Sequence, residues 1–344
     1  ENASDVIEVS VRNHMEYDGC TKFTLTLEPK GQPQVDTLRL EIPFKHERAQ
    51  WLWTMAQDCR ASWLAIDLSE GKGVVWDSSK RKGFQMTVGT FMPQYVVTDS
   101  LRGLCWFADS DRGWVPTDEA PATEVLREQN ATVLRFNLIG RPFQLDAPRE
   151  IVFYLMGMPP RPLPKGWRLY HRTASQFGHY VGDPVVNYSA PMPRDFQKAQ
   201  SFMAEGTLYN KDGTPKGKSG KWHEDFEFAP WHNSHDWFKV PAVDNRTFSY
   251  FALECGDGSW TPTMIDYKCY LWEEYIRQTD LAGIYFDMPE AMGFSFNVSN
   301  DTAYVIPEDQ PRGGEVQPGY RISGFREYMK RIRCIFASHG RPYP

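Results

Sequence analysis

Three short runs near the start of the chain decide its fold class: Ile7-Glu8-Val9-Ser10-Val11-Arg12, Lys22-Phe23-Thr24-Leu25-Thr26-Leu27 and Leu38-Arg39-Leu40-Glu41-Ile42. Apolar and polar side chains alternate in each run, as a β-strand with one buried face requires. Further strands are predicted at residues 63–68, 73–76, 84–88, 103–108, 131–137 and 150–156. Turn residues separate many of them at the spacing typical of two packed sheets. We therefore predict a β-sandwich domain over residues 1–158.

A proline-rich segment follows the predicted sandwich: Met158-Pro159-Pro160-Arg161-Pro162-Leu163-Pro164-Lys165-Gly166-Trp167. Proline lacks the backbone N–H that a sheet needs, and closely spaced prolines favour a stiff, extended chain. We therefore predict a linker over residues 159–167.

Strand and helix patterns alternate after the linker. Strands are predicted at residues 184–188, 247–254 and 282–287, and helices at about 195–204, 262–278 and 323–337. This order predicts a parallel sheet with crossover helices, which fits a barrel or an open sheet. The absence of a glycine-rich phosphate loop favours the barrel. Because a complete (β/α) barrel takes about 250 residues, residues 168–344 are predicted to form a partial or truncated TIM-type barrel.

Carboxylates follow two of the predicted barrel strands. Asp287 ends the apolar run Ile284-Tyr285-Phe286, and Glu254 and Asp257 follow the strand before it. Barrel enzymes build their sites at these strand ends, and glycosidases use two carboxyl groups. Asp287 and Glu254 are therefore the predicted catalytic pair. Alternatively, Asp287 is a turn former and Glu254 a buried, hydrogen-bonded carboxylate.

Tryptophan and histidine residues are concentrated between residues 222 and 237. A substrate-binding set is predicted there and near the strand ends: Trp222, His223, Trp231, His232, His235, Trp237, Asp257, Trp260 and Glu290. Tryptophan can stack on sugar rings, and histidine can bond hydroxyl groups. Two other interpretations are a loop held by its own aromatic side chains and a metal site at His232, His235 and Asp236.

Composition and charge exclude several classes. The net charge is −6 and no long Lys/Arg run occurs, so nucleic acid is not an expected partner. No apolar stretch is long enough to predict a membrane span. The six cysteines show no CxxC spacing, and no Gly-x-Ser-x-Gly motif occurs. No metal and no cofactor is predicted, and the sequence specifies no oligomeric state.

Three motifs carry a family resemblance: Gly103-Leu104-Cys105-Trp106-Phe107-Ala108-Asp109-Ser110-Asp111-Arg112-Gly113-Trp114, Phe153-Tyr154-Leu155-Met156-Gly157-Met158-Pro159 and Leu281-Ala282-Gly283-Ile284-Tyr285-Phe286-Asp287. They resemble secreted bacterial glycoside-hydrolase-domain proteins related to glycoside hydrolase family 123. The resemblance implies a secreted or periplasmic protein with an N-terminal sandwich and a catalytic barrel that degrades a glycan or polysaccharide.

The resemblance also implies a mechanism from which this chain departs. Family 123 enzymes that act on N-acetyl-β-galactosaminides use an adjacent Asp-Glu pair, whereas Asp287 is followed by Met288 and Pro289, with the next acid at Glu290. Two hypotheses follow. The chain is a glycoside hydrolase with a carbohydrate substrate, or it is a non-catalytic glycan-binding protein on a degenerate glycosidase scaffold.

Overall fold

The structure is a computed structural model that describes residues 2–3, 5–55, 63–80, 89–99, 101–160, 262, 265, 266, 269, 270, 273, 277, 302–308, 310, 313–320 and 322–340. The chain forms two compact units. The sandwich unit comprises Glu1–Pro162 and Val298–Ile322, and the C-terminal unit comprises Leu163–Asn297 and Ser323–Pro344.

The sandwich unit is built from antiparallel strands. In chain order they are β1 (Asn2–Ala3), β2 (Ile7–Met15), β3 (Thr21–Pro29), β4 (Gln34–Val35), β5 (Leu38–Phe44), β6 (Trp51–Met55), β7 (Trp63–Asp67), β8 (Gly73–Asp77), β9 (Gln94–Thr98), β10 (Gly103–Phe107), β11 (Thr123–Arg127), β12 (Thr132–Ile139), β13 (Phe143–Gln144), β14 (Arg149–Met158), β15 (Tyr304–Val305) and β16 (Val316–Gln317). An eight-stranded sheet has the order β1-β2-β3-β14-β10-β9-β6-β7, and a four-stranded sheet has the order β5-β12-β11-β8. The shorter strands form the pairs β13-β4 and β15-β16.

Aromatic side chains join the two large sheets. Trp106 of β10 stacks on Phe136 of β12 with 4.0 Å between ring centroids. Tyr95 of β9 packs edge-on against the same Phe136 ring at 5.5 Å. All three side chains are almost completely buried. Rings of this size supply much of the apolar area that folding removes from water, and the predicted β-sandwich is thereby confirmed.

The eight-stranded sheet is covered on both faces near its middle. Trp106 points towards the four-stranded sheet, whereas its neighbours Cys105 and Phe107 point the other way, as alternation along a strand requires. Cys105 and Phe107 form a second, smaller cluster with Cys20, and Met158 packs against it. We call this side of the sheet its outer face.

A segment from the far end of the chain completes the sandwich unit. We call residues 302–320 the return segment. Its strands β15 and β16 pair with each other. Tyr320 donates its backbone N–H to the carbonyl of Asp109 at 2.6 Å, and its ring lies 6.1 Å from that of Phe91. The sequence pattern did not indicate this packing, and the predicted boundaries 1–158, 159–167 and 168–344 stay predictions.

The described part of the C-terminal unit is helical. Helix α1 spans Ile322–Ser338 and buries Tyr328, Ile332 and Phe336, spaced four residues apart on one face. The described positions between 262 and 277 are helical too, where a helix was predicted over 262–278. Most of the predicted barrel lies outside the described residues, so the barrel stays a prediction. Among the described helices, none has the length and apolarity to cross a membrane.

Candidate functional site

The predicted catalytic and substrate-binding residues all lie outside the described residues: Asp287, Glu254, Trp222, His223, Trp231, His232, His235, Trp237, Asp257, Trp260 and Glu290. Their roles stay predictions. The metal alternative at His232 and His235 falls on the same stretch. Within the described ranges, no three His, Cys, Asp or Glu side chains come together as a metal site. The sandwich unit nevertheless holds two carboxylates with unusual environments.

The first carboxylate is Asp111, which follows β10 and is completely buried. Tyr304 of the return segment donates its hydroxyl to Asp111 Oδ1 at 3.0 Å. Gln317 donates its amide Nε2–H to Asp111 Oδ2 at 2.8 Å. Burial raises the pKa of Asp111 to about 6, although the two hydrogen bonds favour the charged form and oppose that rise.

The surroundings of Asp111 are fixed by backbone geometry. Gly113 has a φ of +88°, and a Cβ there would lie 2.1 Å from the carbonyl oxygen of Glu150. Only glycine fits such a turn. Arg149 donates from its NH1 to the carbonyl oxygens of Gly113 and Trp114 at 3.1 and 3.2 Å. Asp111 is therefore held in a rigid loop.

Two guanidinium groups lie near this loop. The Arg112 guanidinium is 6.0 Å from the centre of the Tyr304 ring, and that of Arg149 is 4.3 Å from the centre of the Phe143 ring. Burial and the neighbouring Asp111 raise the pKa of Tyr304, so its hydroxyl remains a donor. Because solvent does not reach Asp111, we assign it to anchoring the return segment rather than to acid–base chemistry on a substrate.

The second carboxylate is Asp99, which lies in the turn between β9 and β10. Its Oδ1 accepts hydrogen bonds from the backbone N–H groups of Leu101 and Arg102 at 2.6 and 2.8 Å. Its Oδ2 accepts a hydrogen bond from Arg48 NH1 at 2.7 Å. The bond from Arg48, followed by the two backbone bonds, lowers the pKa of Asp99 to about 2.

Asp99 holds the Arg48 side chain and the backbone of Arg102, and both arginines line an open cleft of about 630 Å³. The lining residues are Asp18, Gly19, Phe44, Arg48, Arg102, Gly103, Leu104, Gly157, Met158, Pro159 and Pro160. The Asp18 carboxylate accepts a hydrogen bond from the backbone N–H of Cys20 at 3.1 Å. The cleft thus combines guanidinium donors, a carboxylate acceptor and apolar walls, the usual composition of a small-molecule site.

Sequence reasoning did not find this cleft. An aspartate that opens a turn is a recognisable signal, and Asp99 could have been found by it. Its pairing with Arg48 could not, because 51 residues separate the two in the chain. Asp111 lies in the motif Gly103–Trp114, but its hydrogen-bond donors come from Tyr304 and Gln317, far along the chain.

A comparison with known protein families finds a match for the first 65 residues. Residues 1–65 match the family domain described as glycoside hydrolase 123, third domain. This range runs from β1 into β7 and does not reach the predicted catalytic residues. No curated protein matches the chain. The match shows that this chain is related to glycoside hydrolase family 123.

Proposed function

We propose that this protein is a glycoside hydrolase that acts on a complex glycan or polysaccharide. The observation that carries the proposal is the match of residues 1–65 to a domain of glycoside hydrolase family 123. The confirmed sandwich, which contains that range, supports it. A secreted or periplasmic location and a role in polysaccharide degradation belong to the same proposal.

The chemistry that we propose rests on two carboxyl groups. One protonates the leaving glycosidic oxygen, and the other acts as base, nucleophile or stabiliser of the positively charged transition state. Asp287 is the first candidate, with Glu254 as its partner. The tryptophans and histidines between Trp222 and Trp237 would hold the sugar, and the reaction needs no metal or cofactor.

Replacing Asp287 with Asn in the full chain tests the proposal. Hydrolysis of a panel of aryl glycosides and oligosaccharides should fall by about 10²–10⁴-fold, the range that a positioned acid or base contributes. The matched control is Asp266→Asn, an exposed carboxylate that pairs with Arg331 and should leave the rate unchanged. Equal rates for the wild type and the Asp287→Asn variant would contradict the assignment.

A second candidate function is glycan binding without catalysis. The departure from an adjacent Asp-Glu pair, in the sequence Asp287-Met288-Pro289-Glu290, favours it. Calorimetry that shows glycan binding, together with no released product after long incubation of the same protein, would support this function over hydrolysis.

A further inference from the structure

Two tryptophans are exposed on the outer face of the eight-stranded sheet. Trp51 and Trp53 of β6 are 40% and 43% exposed, whereas Leu52 and Thr54 between and beside them are completely buried. Strand alternation therefore directs both indoles away from the core. Leaving two large apolar rings in water is unfavourable, so a neighbouring pair of this kind indicates a binding surface.

The strand register connects Trp51 to the cleft. One row of directly paired residues crosses five strands in the order Asp67, Trp51, Thr98, Gly103 and Met158. Directly paired residues share a face, so the whole row lies on the outer face. Gly103 and Met158 also line the cleft. The exposed tryptophans and the cleft are therefore parts of one continuous surface.

Gly103 lets β9 approach β10 closely in this row. A Cβ at this position would lie 2.5 Å from the carbonyl oxygen of Val97 and 2.7 Å from Thr98 Cβ. Any side chain would therefore displace β9, so the register that joins Trp51 to the cleft depends on glycine at position 103. A ligand lying along the row meets the indoles first and the cleft next.

The charges of the surface indicate the class of ligand. Arg48 is paired with Asp99 at 2.7 Å, and the other charged residues among the described lining of the cleft, Arg102 and Asp18, have opposite signs. Asp67, at the end of the row, adds a further carboxylate, so the described part of the surface offers guanidinium donors and carboxylate acceptors with no excess of positive charge. A neutral sugar matches it, because each hydroxyl both donates and accepts hydrogen bonds and its ring carbons present an apolar face to an indole. An acidic glycan would be better served by an excess of positive charge.

We propose that Trp51, Trp53 and the cleft of Arg48 and Arg102 form a binding surface for a neutral oligosaccharide chain, separate from the catalytic carboxylates. We call it the sandwich glycan surface. The inference takes only the class of ligand from the proposed function, since binding here needs no catalysis. It gives the sandwich unit a role of its own, which is to hold a long glycan by residues that do not take part in bond cleavage.

The test uses the full chain with Trp51→Ala and Trp53→Ala combined, and separately with Arg102→Ala. The probes are soluble neutral and acidic polysaccharides, measured by calorimetry, and the insoluble neutral ones, measured by co-sedimentation. Each variant should bind the neutral glycans at least about tenfold more weakly, because aromatic and arginine side chains at the centre of an interface carry most of the binding energy. The control is Tyr270→Ala, which removes an aromatic side chain that is 59% exposed in the other unit.

Three outcomes would overturn the inference. They are unchanged neutral-glycan binding in both variants, no binding of any neutral glycan by the wild type, and preferred binding of an acidic glycan that weakens with salt. A loss of folding does not imitate the effect, because the replaced indoles are exposed and the unfolding temperature should stay the same.

Hydrolysis of a small aryl glycoside separates this inference from the proposed function. If the wild type cleaves no glycoside but binds neutral glycans through Trp51 and Trp53, the proposed function fails and the inference stands. If cleavage depends on Asp287 but binding ignores both tryptophans, the inference alone fails.

Discussion

Asp99 and Asp111 are two carboxylates of the same sandwich, both nearly or fully shielded from solvent, yet their environments have opposite effects. Asp99 is 8% exposed and Asp111 is 0% exposed. Asp99 accepts bonds from one guanidinium and two backbone N–H groups, and its pKa falls to about 2. Asp111 accepts bonds from two neutral side chains, and its pKa rises to about 6. Desolvation is the largest effect at the completely buried Asp111 and exceeds that of its two neutral donors, whereas at Asp99 the bonds from the guanidinium and the backbone are the largest effects and desolvation is a smaller one.

The comparison also limits what a shifted pKa means. Perturbed carboxylates cluster at functional sites, but structural networks shift pKa values too. Asp111 has the elevated pKa that a general acid needs, and it anchors the return segment. Asp99 has the lowered pKa, and it positions the arginines of the sandwich glycan surface. In this sandwich the shielded carboxylates act as anchors, and the partners of each one decide what it holds.

The largest effect on stability should come from replacing Asp111, which accepts hydrogen bonds from two buried donors. Asp111→Ala removes the acceptor that the Tyr304 hydroxyl and the Gln317 amide share, at a cost of about 1–3 kcal/mol for each hydrogen bond lost. We expect the sandwich unit to lose about 2–6 kcal/mol of unfolding free energy at a pH near 5. Urea unfolding followed by tryptophan fluorescence measures it, since Trp106 and Trp114 are buried in this unit.

The matched control is Asp111→Asn, which keeps the shape of the side chain. The Gln317 amide can rotate to present its oxygen to the new amide, while the Tyr304 hydroxyl still donates to Asn Oδ1. At the same pH near 5, this variant should be close to the wild type in stability. If Asp111→Ala proved as stable as Asp111→Asn, Asp111 would not be the anchor of the return segment.

The next largest effect is a dependence on pH. Since the folded state raises the pKa of Asp111 from 3.8 to about 6, it holds that proton more tightly than the unfolded chain. Stability from this group is thus fully present below a pH near 4 and is lost as the pH rises through 6. Relative to Asp111→Asn, the wild type should gain up to about 3 kcal/mol between a pH near 7.5 and one near 4.

Unfolding curves of the two proteins at several pH values provide the measurement. Titration of groups other than Asp111 is common to both proteins and cancels in the difference. The difference in unfolding free energy could instead stay constant with pH, or favour the wild type at the higher pH. Either result would show that the pKa of Asp111 is not raised.

The smallest effect should follow from Arg48→Met, which removes the charged donor of Asp99. The two backbone bonds remain, so the pKa of Asp99 should rise from about 2 towards its ordinary value. Stability should change little, because Arg48 is 45% exposed and exposed ion pairs contribute weakly. Carboxyl NMR titration of Asp99 measures the shift. Arg135→Met, which breaks the Arg135–Glu41 pair instead, should not move it, and an equal shift in both variants would contradict the local assignment.

Strands with alternating apolar and polar residues could be located from the sequence, whereas a strand with the opposite pattern of burial could not. The runs that contain Val9, Leu25 and Leu40 lie in β2, β3 and β5. Burial alternates along β5 as predicted, whereas it does not alternate along β2 and β3. β6 was not predicted. Its pattern is inverted, since Trp51 and Trp53 face solvent while Thr54 is buried. A hydrophobicity pattern assigns tryptophan to the core, and only the register of neighbouring strands shows otherwise.

The predicted site could be placed on the sequence but not in space. Asp287 and Glu254 are predicted to be catalytic because each lies at the end of a predicted barrel strand, where barrel enzymes build their sites. Both lie outside the described residues. The contacts that the structure does describe join residues far apart in the chain, such as Asp111 and Gln317, which are 206 positions apart. No local period or spacing encodes such a pair, because each side chain obeys the pattern of its own strand or loop.

Because of the return segment, the sandwich unit can complete its folding only late in synthesis. During synthesis from the N-terminus, the first 162 residues emerge before Tyr304, Gln317 and Tyr320 exist. Until then Asp111 lacks both hydrogen-bond donors and the Phe91 ring lacks its contact with Tyr320. The nascent sandwich is therefore incompletely packed at this stage. Ribosome-bound chains that end before residue 298 should therefore be more open to proteases in the loop around Asp111 than chains that extend past residue 322.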